Sequence, residues 1–249
     1  MYGVESEGAT SKIPVASASV AIAASVAALV LLLSLHVLSP EFSPAWRMIS
    51  EYANGQYGWV LSLMFVAYGL GSLALALAIR SQVTTRRGRL GLVLLTLSGI
   101  GQASAAQFDL NQAALHDLAG ALGILCLPLA AMLISRTLAG TPQWEAARKP
   151  LLVTANLTWI SVVLWVGTFG LMIATFLQAL GGLPTSAPAA LPPGVIALVG
   201  WTNRLVVVSA WTWVATVAWH AIKLHNNVRA PASGTFHCNA NDLKGVNPA

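Results

Sequence analysis

Six stretches of this chain stay apolar for nineteen residues or more, and no other feature limits its fold as strongly: Val15 to Leu38, Gly58 to Ile79, Leu90 to Phe108, Leu115 to Ile134, Leu151 to Leu180 and Val195 to Ile222. A helix rises about 1.5 Å per residue, so roughly 20 apolar residues match the ~30 Å hydrocarbon core of a bilayer. None of the stretches alternates with period two, and all exceed the length of a barrel strand, so they read as helices. Charged residues are 8% of the 249 positions against 56% hydrophobic, too few to cover the surface of a water-soluble fold. The expectation is an all-α polytopic membrane protein, a six-transmembrane-helix bundle with a short outer interfacial helix. Residues 1–12 read as a cytoplasmic leader, 13–223 as the membrane domain and 224–249 as a disordered cytoplasmic tail.

The formal charge of +5 raises the question of nucleic acid, but its distribution answers with topology instead. If the first span runs outward, the inner segments hold Lys12, Arg80, Arg86, Arg87, Arg89, Arg136, Arg148, Lys149, Lys223, Arg229 and Lys244. Only Arg47 and Arg204 fall outside. With Glu5, Glu7, Glu145 and Asp242 inside and Glu41, Glu51, Asp109 and Asp117 outside, the inner side is net +7 and the outer side net −2. This positive-inside asymmetry predicts a plasma (inner) membrane protein with both termini cytoplasmic, partnered by membrane lipids and not by nucleic acid. The first span is too long for a signal core and follows Glu5 and Glu7, so it reads as a retained helix. Cys126 lies in span four and Cys238 in the inner tail, so no disulfide is expected.

The segment Ser43 to Gly58 is both charged and aromatic. Ser43-Pro44 has the chemistry of a helix start and Asn54-Gly55 that of a stop, predicting about three helical turns between them. Trp46, Ile49 and Ala53 would share a face lying in the interface, with Arg47 and Glu51 as i, i+4 neighbours on another. Glu51 is then either half of a surface ion pair or a site residue. Trp46, Tyr57, Trp59 and Trp201 read as interface anchors, as does Trp144 in the basic loop Ser135 to Pro150.

Small residues in span two, including Gly71, Ser72 and Ala76, predict close helix contact. In span three Gln102 and Asp109 lie seven apart and should face the protein interior, because a polar face in lipid lacks partners. Span four opens with His116-Asp117, and Gly120 and Gly123 continue the His116 face. Span five carries Thr154, Thr158, Ser161, Trp165, Thr168, Met172 and Thr175 as one weakly polar stripe, suited to packing or to lining a path. Arg204 in span six sits roughly one hydrocarbon thickness from Lys223, at the outer edge.

On this topology Glu51, Asp109, His116, Asp117 and Arg204 come from four segments and reach one outer layer. Arg204 requires a counter-charge, for which Glu51 and Asp109 are the candidates. The run Ile49-Ser-Glu-Tyr-Ala-Asn-Gly-Gln-Tyr-Gly-Trp59, a Gly-rich second helix, an acid after helix three, a His opening helix four and a polar-Arg pair in helix six (Trp201-Thr-Asn-Arg204) resemble the bacterial six-helix membrane family termed domain of unknown function 998. The resemblance spans about residues 15 to 225. The family's Phe-Pro-Thr-Asp end of helix three stands here as Gln107-Phe108-Asp109. It implies fold and topology and carries no activity.

The outer cluster therefore reads as a lipid- or small-molecule-headgroup site, or as a brace for the bundle, in a non-catalytic or accessory protein, with a partner membrane subunit as a further option and no cofactor or metal expected. One alternative is a metal-dependent hydrolase using Asp109, His116 and Asp117 with Glu51 as acid or base. A weaker one is a b-type haem protein with His36 and His116 as axial ligands. A midplane without ionisable residues argues against an ion-coupled transporter.

Overall fold

A computed structural model describes residues 5–108, 112–182, 188 and 190–229, with side chains from Val15 to Asn227. Six α-helices are described: α1 (Glu5–Leu38), α2 (Gly58–Ile79), α3 (Arg86–Ser104), α4 (Ala113–Ala139), α5 (Arg148–Leu180) and α6 (Val199–Arg229). No strand occurs among the described residues. Five segments are long and apolar enough to cross a membrane: Val15–Leu38, Gly58–Ile79, Ala113–Ala139, Pro142–Leu180 and Val199–Asn227. The protein is thus all-helical, with the apolar helices of a multi-pass membrane protein. The remaining helix, α3, opens with Arg86, Arg87 and Arg89, which dilute its apolar run. Thr85 caps it by accepting the Gly88 N–H at 3.0 Å, so it begins four residues before the expected Leu90.

Each helix packs on its neighbours in sequence, and α1 closes the ring against α6 while α2 and α6 touch across it. Leu, Val and Ile side chains are exposed on every helix, as lipid contact requires, while small residues mediate the inner packing. A Cβ on Gly69 would lie 2.9 Å from the Ala103 nitrogen, and one on Gly101 2.8 Å from that of Gly123. These glycines set how closely α3 approaches α2 and α4. The α1–α2 contact uses Gly71 against Ala24, as the small-residue pattern predicts.

The structure corrects three expectations. The three-turn helix from Ser43 to Asn54 is instead a turn followed by a six-residue 3₁₀ helix, Ile49–Asn54, whose Ile49 is buried rather than laid in the interface. The Ala45 carbonyl accepts from Gly200 N–H, Ile49 N–H donates to Asn203 Oδ1, and the Arg47 carbonyl accepts from Arg204 Nη1. Backbone groups that an α-helix would pair internally are taken by α6. Trp144 is not an anchor but is fully buried on a second 3₁₀ helix, Pro142–Ala147, where its Nε1–H donates to Gln82 Oε1 at 2.9 Å. Residues 224–229, expected in the tail, belong to α6, which continues through Arg229; residues 230–249 lie outside the described residues.

Candidate functional site

At the end of the bundle where α1 finishes and α6 begins, Arg204 is 5% exposed and makes four hydrogen bonds. Its Nε–H donates to His36 Nε2 at 2.7 Å, Nη1 to the carbonyls of Arg47 (2.8 Å) and Gly200 (3.0 Å), and Nη2 to the Tyr52 hydroxyl at 3.1 Å. An arginine only donates, so His36 Nε2 must accept and the ring proton sits on Nδ1, which donates to the Leu32 carbonyl at 2.7 Å. Both ring nitrogens of His36 are therefore engaged, and the arrangement leaves neither for an axial haem bond. Every partner of Arg204 among the described residues is neutral. Glu51, one of the two expected counter-charges, turns away: Oε2 pairs with Arg47 Nη1 at 2.6 Å and Oε1 accepts Met48 N–H at 2.7 Å. Arg47 also donates to the Pro188 carbonyl and stacks on Trp46. Asp109, the other candidate, lies outside the described residues.

This network binds α1, α6 and the 3₁₀ segment together, and glycine makes it possible. Gly200 meets the backbone of Pro44, Arg47 and Trp46 so closely that a Cβ there would sit 2.8 Å from Arg47 O. Asn203, 8% exposed, uses Oδ1 for Ile49 N–H, which fixes the orientation of its amide.

Beside the brace lies a cavity of about 450 Å³ bounded by α2 to α6 and the 3₁₀ segment. Its mouth is polar, with Ser50, His116, Asp117 and Asn203; its depth is apolar, reaching Phe65, Tyr68, Ile124 and Leu125. The nine helical steps from His116 to Leu125 correspond to ~14 Å along α4, about half a hydrocarbon core. The cavity exists because α5 stands away from α4. Its buried residues Leu151, Thr154, Ala155, Thr158 and Ser161 all fall in its first half, with Phe176 alone beyond. The far half is tied to α6 by Thr168–Thr202 (2.6 Å) and to the segment before α6 by Ile196 N–H donating to Thr175 Oγ1. Leu125, 54% exposed, and Phe169, 36% exposed, line the resulting gap, which opens sideways between α4 and α5.

The four described members of the expected cluster are thus distributed over two places. Glu51 and Arg204 belong to the brace, where they do not contact each other. His116 and Asp117 stand at the cavity mouth, where His116 Nδ1–H donates to the Phe108 carbonyl at 2.8 Å. Among the described residues no three His, Cys, Asp or Glu side chains group as a metal site would require; Asp109 of the hydrolase triad is not among them. Trp59 (62% exposed) and Trp201 (53% exposed) project outward, while Trp46 and Tyr57 are half-buried. Gln102 faces inward as expected and is fully engaged, accepting from Ser72 and donating to Ser98 Oγ and the Gly123 carbonyl. Sequence reasoning missed Tyr68, a lone Tyr inside an apolar run that gave no spacing signal, and saw Asn203 only as the polar neighbour of Arg204, without a role of its own.

A family model described as "Protein of unknown function (DUF998)" matches residues 22–220, most of the chain and both places just described. The chain belongs to the DUF998 family. No curated protein and no solved structure matches it. Membership in DUF998 agrees with the resemblance carried by Ile49 to Trp59 and brings no assigned chemistry, so any function must be argued from the brace and the cavity.

Proposed function

We propose that this DUF998 protein is a non-catalytic, six-span protein of a bacterial inner membrane, both termini cytoplasmic, that binds an outer-leaflet lipid in the cavity between α4 and α5. The observation that carries this reading is the cavity itself: polar at the mouth, apolar below, half a bilayer deep and open sideways toward lipid. Such a shape suits an amphiphile that enters from the membrane, its headgroup near Ser50, His116 and Asp117 and its chain along Ile124 and Leu125. The basic residues between spans support the sidedness, which puts the cavity mouth on the outer face. The Arg204 network is its brace, holding the 3₁₀ segment that forms part of the mouth.

Gly120 offers a direct test, because a Cβ there meets nothing within 4 Å and its side chain would grow into or beside the cavity. Protein extracted in mild detergent should carry about one lipid per chain by native mass spectrometry. In Gly120→Phe that lipid should fall at least tenfold while the melting temperature holds. Wild-type protein that carries no lipid, or a Gly120→Phe variant that keeps its full complement, would contradict the proposal.

A further inference from the structure

Two buried polar side chains line the cavity with a donor that has no partner among the described residues. The Asn203 amide, on a side chain 8% exposed, uses only Oδ1, so its NH₂ is unpaired, and the Tyr68 hydroxyl, on a side chain 6% exposed, makes no hydrogen bond. Trp165 Nε1 is unpaired as well but is closed off from the cavity as from solvent, so it does not face an occupant. Buried polar groups are almost always paired, since leaving one unpaired costs about 1–3 kcal/mol. Both groups can donate, and the Asn203 NH₂ can do nothing else. The neighbouring Gln102, by contrast, is satisfied within the protein.

Their levels can be ordered. Asn203 lies near the start of α6, and Tyr68 stands edge-on to Trp211 farther along it, with ring centroids 5.5 Å apart. The donors therefore descend from Asn203 near the mouth to Tyr68 at the floor, over ~12 Å of α6. Water is a poor occupant of this space, because a buried water needs two to four polar partners together and these groups are spread along an apolar wall.

We infer that the cavity recognises carbonyl oxygens carried on an apolar body, with the Tyr68 hydroxyl and the Asn203 NH₂ as the donors. Ester-linked glycerolipids and long-chain quinones both supply that chemistry. The inference rests on the lipid-binding reading above and adds the chemical class of the occupant. It explains why donors, and not cations, face the interior: the two arginines of this end are consumed by the brace, and an uncharged oxygen needs only a neutral donor. Each such bond should be worth about threefold to tenfold in retention.

The test uses the full chain in detergent, offered an equimolar mixture of a diester phospholipid and the diether phospholipid with the same headgroup and chains, and separately a long-chain quinone, with bound species read by native mass spectrometry. The expected result is retention of the diester over the diether by about threefold to tenfold, falling toward parity in Tyr68→Phe and in Asn203→Asp, which keeps the oxygen that Ile49 N–H uses. Equal retention of both lipids, together with a quinone that binds and is lost in the same two variants, assigns the carbonyls to a quinone and also supports the inference. Equal retention with no quinone bound overturns it while leaving lipid binding intact. A preference that survives both substitutions overturns the assignment of these donors. No bound lipid or quinone of any kind overturns the binding reading as well.

Discussion

At the scale of single residues, Arg204 is unusual in holding a buried positive charge with neutral acceptors alone among the described residues. Four bonds diverge from one planar guanidinium to His36, Tyr52 and two carbonyls. A lysine carries the same charge but gathers its donors at one point and cannot span those directions. Arg204→Lys should therefore melt in detergent close to Arg204→Ala, each about 2–4 kcal/mol less stable than wild type, because either change leaves buried acceptors unpaired. A lysine variant with wild-type melting would show that charge, and not the fork, is what this position supplies. The position of Arg204 at the end of its helix was legible in the sequence, since helix rise alone sets its depth. Its partners were not: a counter-charge was the natural expectation, and a neutral histidine 168 positions away leaves no local signal. Glu51 shows the reverse, because its i, i+4 pairing with Arg47 survives although the backbone there is not an α-helix.

At the scale of elements, the glycines separate into those that let backbones meet and those that leave space. Gly69 and Gly200 face backbone atoms of a neighbouring segment at distances no Cβ tolerates, whereas Gly120 faces nothing within 4 Å. Gly69→Ala and Gly200→Ala should each cost about 2 kcal/mol or more, since the main-chain atoms they face cannot rotate away. Gly120→Ala should be neutral or stabilise by up to ~1 kcal/mol, the usual gain from removing a glycine within a helix. Thermal melts of the three variants check this, and equal losses at all three positions would refute the distinction. Sequence spacing alone put Gly120 and Gly123 on one close-contact face. Only Gly123 behaves so, lying 3.1 Å from Gln102 Cγ by its would-be Cβ, because α5 leaves α4 beside Gly120. Helix existence followed from apolar runs that any bilayer-length segment must show; the shape of the Ser43 to Gly58 segment did not, since α6 takes the hydrogen bonds that local capping chemistry would have used. The spread of polar residues along α5 likewise became intelligible only with α6 in place, where Ser161 meets Ser209 and Thr168 meets Thr202.

At the scale of the whole molecule, a count of six spans against five turns on α3, the one described α-helix that is long enough to cross but not apolar enough by itself. Its 19 residues correspond to ~28 Å, close to one hydrocarbon thickness, and its arginines gather at one end where their long stems can carry the charge to the headgroups. Inside the ring α3 is held on both sides, by Gly69 of α2 and by Gly101 against α4, so it needs less lipid-facing apolar surface than an isolated span would. If α3 spans, its two ends lie on opposite faces of the membrane, and the positive-inside asymmetry puts the arginine end in the cytoplasm. Arg87 and Gln107 are both exposed and sit near its two ends, which makes them suitable reporters. In a background lacking Cys126 and Cys238, Gln107→Cys should react with a membrane-impermeant maleimide in intact cells, and Arg87→Cys only after permeabilisation. The reverse pattern would invert the bundle and move the cavity mouth to the cytoplasmic face. Labelling of both from the same side would remove α3 from the spans and leave five, and the two termini would then lie on opposite faces of the membrane.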